Sequence, residues 1–307
     1  MNIDPVQLRI LQEVAGLHDT PDGAFNFRFD GKSAGRNSTE NIVITSKTDK
    51  SGIDIHIAPG TKHESVHIPV VLSESGLKEA VYNDFFIGDD CDVTIVAGCG
   101  ISNCGGEDSQ HDGIHTFHIG DRCKVRYYEK HYGEGDGMGK RILNPVTEVY
   151  MAKDSYMEMD MAQIKGVDST IRKSDAHLGE GSSLVVHERL MTHGVQTAVS
   201  EYNVYLDGDG ASTNVVSRSV AREESRQTFI SRLYGNAQAH GHSECDSIIM
   251  DDARISSIPE VVANCPDAEL IHEAAIGKIA GEQITKLMTF GLTQEEAEEQ
   301  IVNGFLK

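Results

Sequence analysis

Tryptophan is absent from the 307 residues, and aromatic side chains make up only 6% of the chain. A core without indoles must be filled by small and branched side chains, which suits a narrow interior. Basic residues are scarce as well: 27 Lys and Arg stand against 48 Asp and Glu, a formal net charge of −21. Binding DNA or RNA needs a cationic face that neutralises phosphates, and no basic run or arm supplies one, so no nucleic-acid partner is expected. No stretch approaches the ~20 apolar residues that span a bilayer. The start, MNIDPVQLRI, lacks the charged-then-apolar pattern of a secretory signal. No membrane association and a cytoplasmic location are the expectation. Six cysteines in a chain of this length do not make the disulfide framework of a small secreted domain. The thiols are expected to be free, reactive or metal-bound, and the glycosylation pattern at Asn37-Ser38-Thr39 has no meaning without secretion.

Several short motifs fail on their own requirements. Gly31-Lys32-Ser33 lacks the glycine of a phosphate loop, because Asn26 stands where it belongs. His63-Glu64-Ser65-Val66-His67 fits the zinc-protease pattern, but that chemistry needs a helix. The flanks, IDIHIAPGTK and IPVVL, are strand-like, and on a strand the two imidazoles lie about 13 Å apart. GEGDGMG at 133–139 lacks dinucleotide-loop spacing and reads as a flexible loop. No nucleotide-binding motif remains. Arg141, Arg172 and Arg189, with scattered Asp, could imitate the site of a β-helical polysaccharide lyase, though nothing clusters them in sequence.

What is present is mostly β. Asp4 and Pro5 open a short amphipathic helix over 4–15, with Val6 or Ile10, Leu11 and Val14 on its apolar stripe. Phe25, Phe27 and Phe29 alternate with polar residues, which is strand periodicity. From about 53 to 263 a small turn recurs after an apolar residue at steps of about thirty: IAPGTK, IGDDCD, IGDRCK, MAKDSY, LGEGSS, LDGDGA and LYGNAQ. Alternating runs follow each turn. This pattern predicts the stacked coils of a β-solenoid, with a β-sandwich as the alternative. The open ends of a solenoid expose strand edges, so dimerisation through one edge is expected. The chain divides into an N-terminal region (1–52), a solenoid core (53–279) and a helical C-terminal segment (280–307). In that segment Ile284, Leu287 and Met288 form an apolar face, Gly291 ends the helix, and Thr293 to Glu296 is a capping box. Ala297, Ile301, Val302 and Phe305 form the apolar side of the last helix. The plain reading of this helix pair is a cap on the solenoid.

Two groups of residues could carry chemistry. Cys245, His272 and Glu273 offer a thiolate, an imidazole and a carboxylate, a ligand set for iron or zinc. The plain alternative is a buried thiol and a satisfied imidazole. His272 and Glu273 are adjacent, so on a strand they point to opposite faces. The second group spans 91–131: Cys91, Cys99, Cys104 and Cys123 with His111, His115, His118 and His131. It lacks the spacing of a closed zinc site. Its plain reading is turn and core residues with solvated histidines. The other reading is cluster ligation or sulfur transfer, with Cys99, Cys104, His111 and His115 as secondary metal-ligand candidates.

CDSII (245–249), Pro259-Glu260, NCPDAELIHEAAIGKI (264–279), EQITKLMTFGL (282–292) and EEAEEQIVNGF (295–305) together resemble the SufB/SufD family of the SUF pathway for iron–sulfur cluster assembly. The stretch from Cys99 to Arg141 is similar to the shorter, archaeal-type members. The resemblance implies a right-handed parallel β-helix core, dimerisation through it as a homodimer or SufB/SufD-type heterodimer, and docking of a SufC-type ABC ATPase on the C-terminal helices. It implies a non-enzymatic scaffold that holds an iron–sulfur cluster transiently and passes it to apo iron–sulfur proteins. By position Cys245 and Glu273 match SufB-type ligands and His272 the SufD-type ligand. Cys245 and one of the pair are then expected to act within one chain, with the other reached across a twofold axis. No residue carries over a flavin site. The competing classes are a β-helical carbohydrate-active enzyme and a purely structural solenoid.

Overall fold

The computed structural model describes residues 3–307. Two stacks of strands face each other along one axis. Sheet A runs, in spatial order, through Lys32–Asn37, Ala24–Phe29, Lys62–Leu72, Asp92–Ser102, Lys124–Glu134, Tyr156–Lys165, Ser183–Thr192, Ser212–Ala221, His240–Ile249 and Glu269–Gly277. Sheet B runs in the same direction through Ile42–Ser46, Gly52–Ile57, Lys78–Ile87, Ser109–Ile119, the short strands Arg141–Leu143 and Val146–Met151, Ser169–Leu178, Thr197–Leu206, Arg226–Gly235 and Arg254–Ala263. All pairings are parallel except those of the two N-terminal hairpins. The molecule is a β-solenoid of about 8 turns. Residues stacked in neighbouring coils lie 27 to 32 positions apart in the chain, as in Arg141 with Asp168 and Arg122 with Asp90.

The recurring turn read from the sequence is the corner from sheet B to sheet A. Its equivalent residue takes a left-handed backbone coil after coil: Gly60, Asp90, Arg122, Asp154, Gly181 and Gly210, with φ between 54° and 77°. Gly and Asp accept this conformation readily, which explains the composition of the turns. The last position of the turn is filled by a small hydroxyl or thiol in the first coils and at Ser182, and by Ala211 and Ala239 in the later ones. Thr61, Ser155 and Ser182 each donate to the carbonyl three residues back. Cys91 and Cys123 stand at the same step and donate to the carbonyls of Ala58 and Gly88.

Inside, one hydrophobic cluster extends from Ala24 to Cys245, built from alternate residues of every strand. At the N-terminal end, helix α1 (Pro5–Ala15) lies on the outer face of sheet A, its capping box formed by Asp4 and Gln7. Its buried residues are Ile10, Leu11 and Val14. Gly98 and Gly100 make that approach possible: a Cβ on Gly100 would sit 2.1 Å from Ile10 Cγ2. The protease-like stretch is a strand, as the flanks predict, with a bulge at His63 that leaves this side chain exposed.

The other end differs from the expectation. Helix α2 (Gly281–Met288) buries none of its residues, and α3 (Gln294–Phe305) buries Ala297 and Val302. Val302 and Leu306 pack on Val220 beside Met191, Ile248 and Met250. That places α3 along the flank of the coils rather than over their end, because the apolar residues that receive it lie where sheet A strands leave the sheet. The terminal helices therefore do not cap the solenoid. The last coil stays open, with Ile258, Val261, Ile271 and Ile276 exposed. Among the described residues no helix is long and apolar enough to cross a membrane.

Candidate functional site

Cys245 lies on the next-to-last strand of sheet A, where Gly241, Ser243, Cys245 and Ser247 alternate inward. It is buried, 1% exposed. Burial pushes its thiol up from the ordinary value, and the hydroxyls of Ser247 and Ser257 pull it back only in part. On the last strand, His272 pairs in register with Ser243, and Ala274 with Cys245. His272 thus shares the inner face with Cys245, their Cα atoms about 8 Å apart by one strand spacing and two residues. Neither ring nitrogen of His272 has a hydrogen-bond partner among the described residues. Burial, aided by nearby His242, lowers its pKa and favours neutral imidazole, the form that binds metals. Ser257, opposite on sheet B, turns its buried hydroxyl toward Cys245. Glu273 points outward, its side chain 68% exposed, and lies 3.2 Å from His242 Nε2. The two adjacent residues of the sequence motif therefore stand on opposite faces of the sheet, as strand geometry requires.

The second group does not behave as solvated histidines. His111, His115 and His131 are 2%, 4% and 2% exposed, because strand alternation turns them inward. Only His118 faces out. Cys99 pairs in register with His131 and sits between it and His111. Burial alone would raise the Cys99 thiol, but the two imidazoles reverse this and bring it to about 7. Burial opposes charge on His111 too, yet Cys99 and Glu79 raise it to about 10. His131, between Cys99 and Glu129, is raised to about 9 against the same opposition. His115, which hydrogen-bonds Tyr127 at 2.8 Å, falls to about 4 through burial. Cys91 and Cys123 are turn caps, Cys104 is exposed, and Cys265 is half-buried in the last turn. This region thus holds one imidazole-flanked thiol, Cys99, and a separate pair of neighbouring corner thiols, Cys91 and Cys123.

A polar file connects the two groups through the interior. In sheet A one inward row reads Ala97, Glu129, Met161, Glu188, Ser217, Cys245 and Ala274, each in register with the next. Arg172 crosses from sheet B to pair with Glu129, and its Nε lies 3.8 Å from Glu188. Glu188 accepts from Ser200, Tyr202 and Ser217 at 2.6, 2.9 and 2.7 Å. Cys99 lies in the adjacent inward row, five strand spacings from Cys245, or about 24 Å along the axis. Charged groups in a core are costly unless paired, and here each carboxylate has its cation or a set of donors. Sequence pattern alone does not reveal this file, since its members recur at the coil period and are far apart in the chain.

A second feature at that period is an outer stack on sheet B: His56, Phe86, His118, Tyr150, His177, Tyr205 and Tyr234, ring on ring at 4.5 to 5.5 Å. A groove of about 910 Å³ follows its first five rings. It lies on the sheet opposite the cysteines, and the rings spend their faces on one another, so it is not the centre of the chemistry. Of the three lyase-like arginines, Arg172 is interior, Arg141 is held by Asp168, and Arg189 pairs with Asp160 on the outer surface. Arg172 and Arg189 line one small cavity with Glu188, and Arg141 lies apart from it.

Residues 82–305 match the SufBD core domain of the SUF system for FeS cluster assembly. An iron–sulfur cluster assembly SufBD family protein of Pyrococcus horikoshii is 28% identical over 281 residues, covering 90% of this chain and 84% of the relative. One of Methanocaldococcus jannaschii is 26% identical over 273 residues, with 87% and 85% covered. One of Archaeoglobus fulgidus is 28% identical over 283 residues, with 84% and 69% covered.

Proposed function

The chain belongs to the SufBD family of iron–sulfur cluster assembly, and from that premise we propose that it is the non-enzymatic scaffold on which a cluster is built and released. The observation that carries this reading is the open last coil, where an unpartnered, neutral imidazole, His272, shares the inner face with the Cys245 thiol. The thiol is protonated at neutral pH and gives up its proton as iron binds. Mixed thiolate, imidazole and carboxylate ligation holds iron less firmly than four thiolates, which suits a cluster meant to leave. Glu273, on the outer face, reaches a cluster only from the partner protomer across a twofold axis.

Dimerisation through the open coil follows from the same geometry. The strands Arg254–Ala263 and Glu269–Gly277 each leave one edge without a neighbour, flanked by exposed isoleucines and Val261. A SufC-type ABC ATPase docks on α2, whose last residue Met288 and the nearby Phe290 are 45% and 76% exposed. That partner hydrolyses the nucleotide, and apo iron–sulfur proteins in the cytoplasm receive the cluster. Cys99, held near its thiolate form at neutral pH, is the entry point for sulfur. Anaerobic reconstitution with iron and sulfide tests the scaffold role. The expected product is sulfur-to-iron charge-transfer absorption that Cys245→Ser abolishes, whereas equal absorption in the variant would move the site elsewhere.

A further inference from the structure

Outside the inner site, one constellation on the outer face of sheet A has the chemistry of a cation site. His242 and Glu244 alternate outward on the next-to-last strand, and Glu273 lies directly opposite Glu244 on the last one. One ligand atom from each of the three comes within 4.8 Å of the others. Such spacing approaches that of donors around a single ion with bonds of about 2.0–2.2 Å.

A further observation concerns orientation. His242 Nδ1 lies 2.9 Å from Asn214 Oδ1, and an N–H donated to that oxygen turns Nε2 toward the carboxylates. That nitrogen faces a carboxylate oxygen of Glu273 at 3.2 Å. The local charge is mostly negative. Glu244 and Glu273 flank the imidazole and Asp246 hydrogen-bonds Glu244, while Arg218, in register with Asp246, offsets part of that charge. Like charges placed opposite each other across strands destabilise a sheet.

We infer that His242, Glu244 and Glu273 form a divalent-cation site on the outer face of sheet A, and that it docks the ferrous ion destined for the cluster. One imidazole and two carboxylates suit Fe(II), Co(II) or Mn(II) better than a soft ion. The identity of the ion as ferrous rests on the scaffold role; the site itself does not. It borders the open edge, one strand away, and Glu273 is common to it and to the dimer interface, so a loaded ion reaches the cluster without crossing the sheet.

Anaerobic titration with Co(II) alone, and separately with Fe(II) alone, tests this on the full chain, with thermal melts to verify folding. One ion per chain is expected in wild type and equally in Cys245→Ser. Asn214→Ala should weaken binding about 10–100-fold by freeing the imidazole, and His242→Ala and Glu244→Gln should weaken it at least as much. Unchanged binding in folded His242→Ala and Glu244→Gln would overturn the site. So would loss of binding in Cys245→Ser, which places the ion at the thiol. Cobalt binding without cluster formation would leave the site standing and refute the scaffold role instead.

Discussion

At the residue scale the proposed chemistry depends on two buried thiols in opposite environments. Burial holds the Cys245 thiol protonated despite the hydroxyls beside it. Cys99 sees two imidazoles, so its proton resides on a histidine. The sign of the shift sets the test. A lowered thiol pKa means that thiolate is present above about 7 and disappears below it. Thiolate ultraviolet absorbance, titrated as the difference between wild type and Cys99→Ser, should rise with a midpoint near 7. A midpoint of 8.5 or higher, the range of an unperturbed cysteine, would mean that the imidazoles do not act on it. Cys245 and its neighbours His272 and Glu273 were legible in the sequence because they fall within one conserved-looking wording, and strand parity correctly separates the last two. The position of Cys99 was not legible. Its partners His111 and His131 lie 12 and 32 residues away and meet it only because the solenoid stacks one coil on another.

At the element scale the coil corners were the clearest signal, since a left-handed step at the same place in each turn demands Gly or Asp in most coils. The second corner of each coil, as at His193–Gln196 or Arg222–Ser225, takes the same left-handed step at Gly194, Glu223 and Asp251, but these share no residue type and the corner went unread. The role of the terminal helices was misjudged for a physical reason. Their apolar stripes show that they pack, but not on what, and the receiving surface at Val220, Ile248 and Met250 is assembled from three coils. The last coil is thereby left uncovered, and this open edge is the surface we propose for the dimer. Ile271→Asp, placed on an exposed edge-strand residue, should convert the dimer to a monomer by sedimentation without lowering the melting temperature. A wild-type monomer at micromolar concentration would contradict that assignment. Helix α2 has its own test. Phe290→Asp should abolish co-elution with the family's ABC ATPase while leaving dimerisation and reconstitution intact; retained co-elution would place the ATPase elsewhere.

At the scale of the whole molecule, the solenoid has ends of different kinds. The N-terminal end is finished by antiparallel hairpins and α1. The C-terminal end is open and carries Cys245. Between them the interior is hydrophobic along most rows but polar along the one that includes Glu129, Glu188 and Ser217. A purely structural solenoid has no need to bury Arg172 between two glutamates, since well-packed hydrophobic residues do as well or better for stability. A scaffold that brings sulfur from one end and iron to the other does have such a need. The most direct measurement is anaerobic reconstitution followed by iron and acid-labile sulfide content in wild type, Cys245→Ser and Cys99→Ser, each supplied with free sulfide. Wild type and Cys99→Ser should bind iron and sulfide together, because free sulfide bypasses the entry thiol, and Cys245→Ser should bind neither. Full iron and sulfide in Cys245→Ser would contradict the assignment of cluster assembly to the open coil.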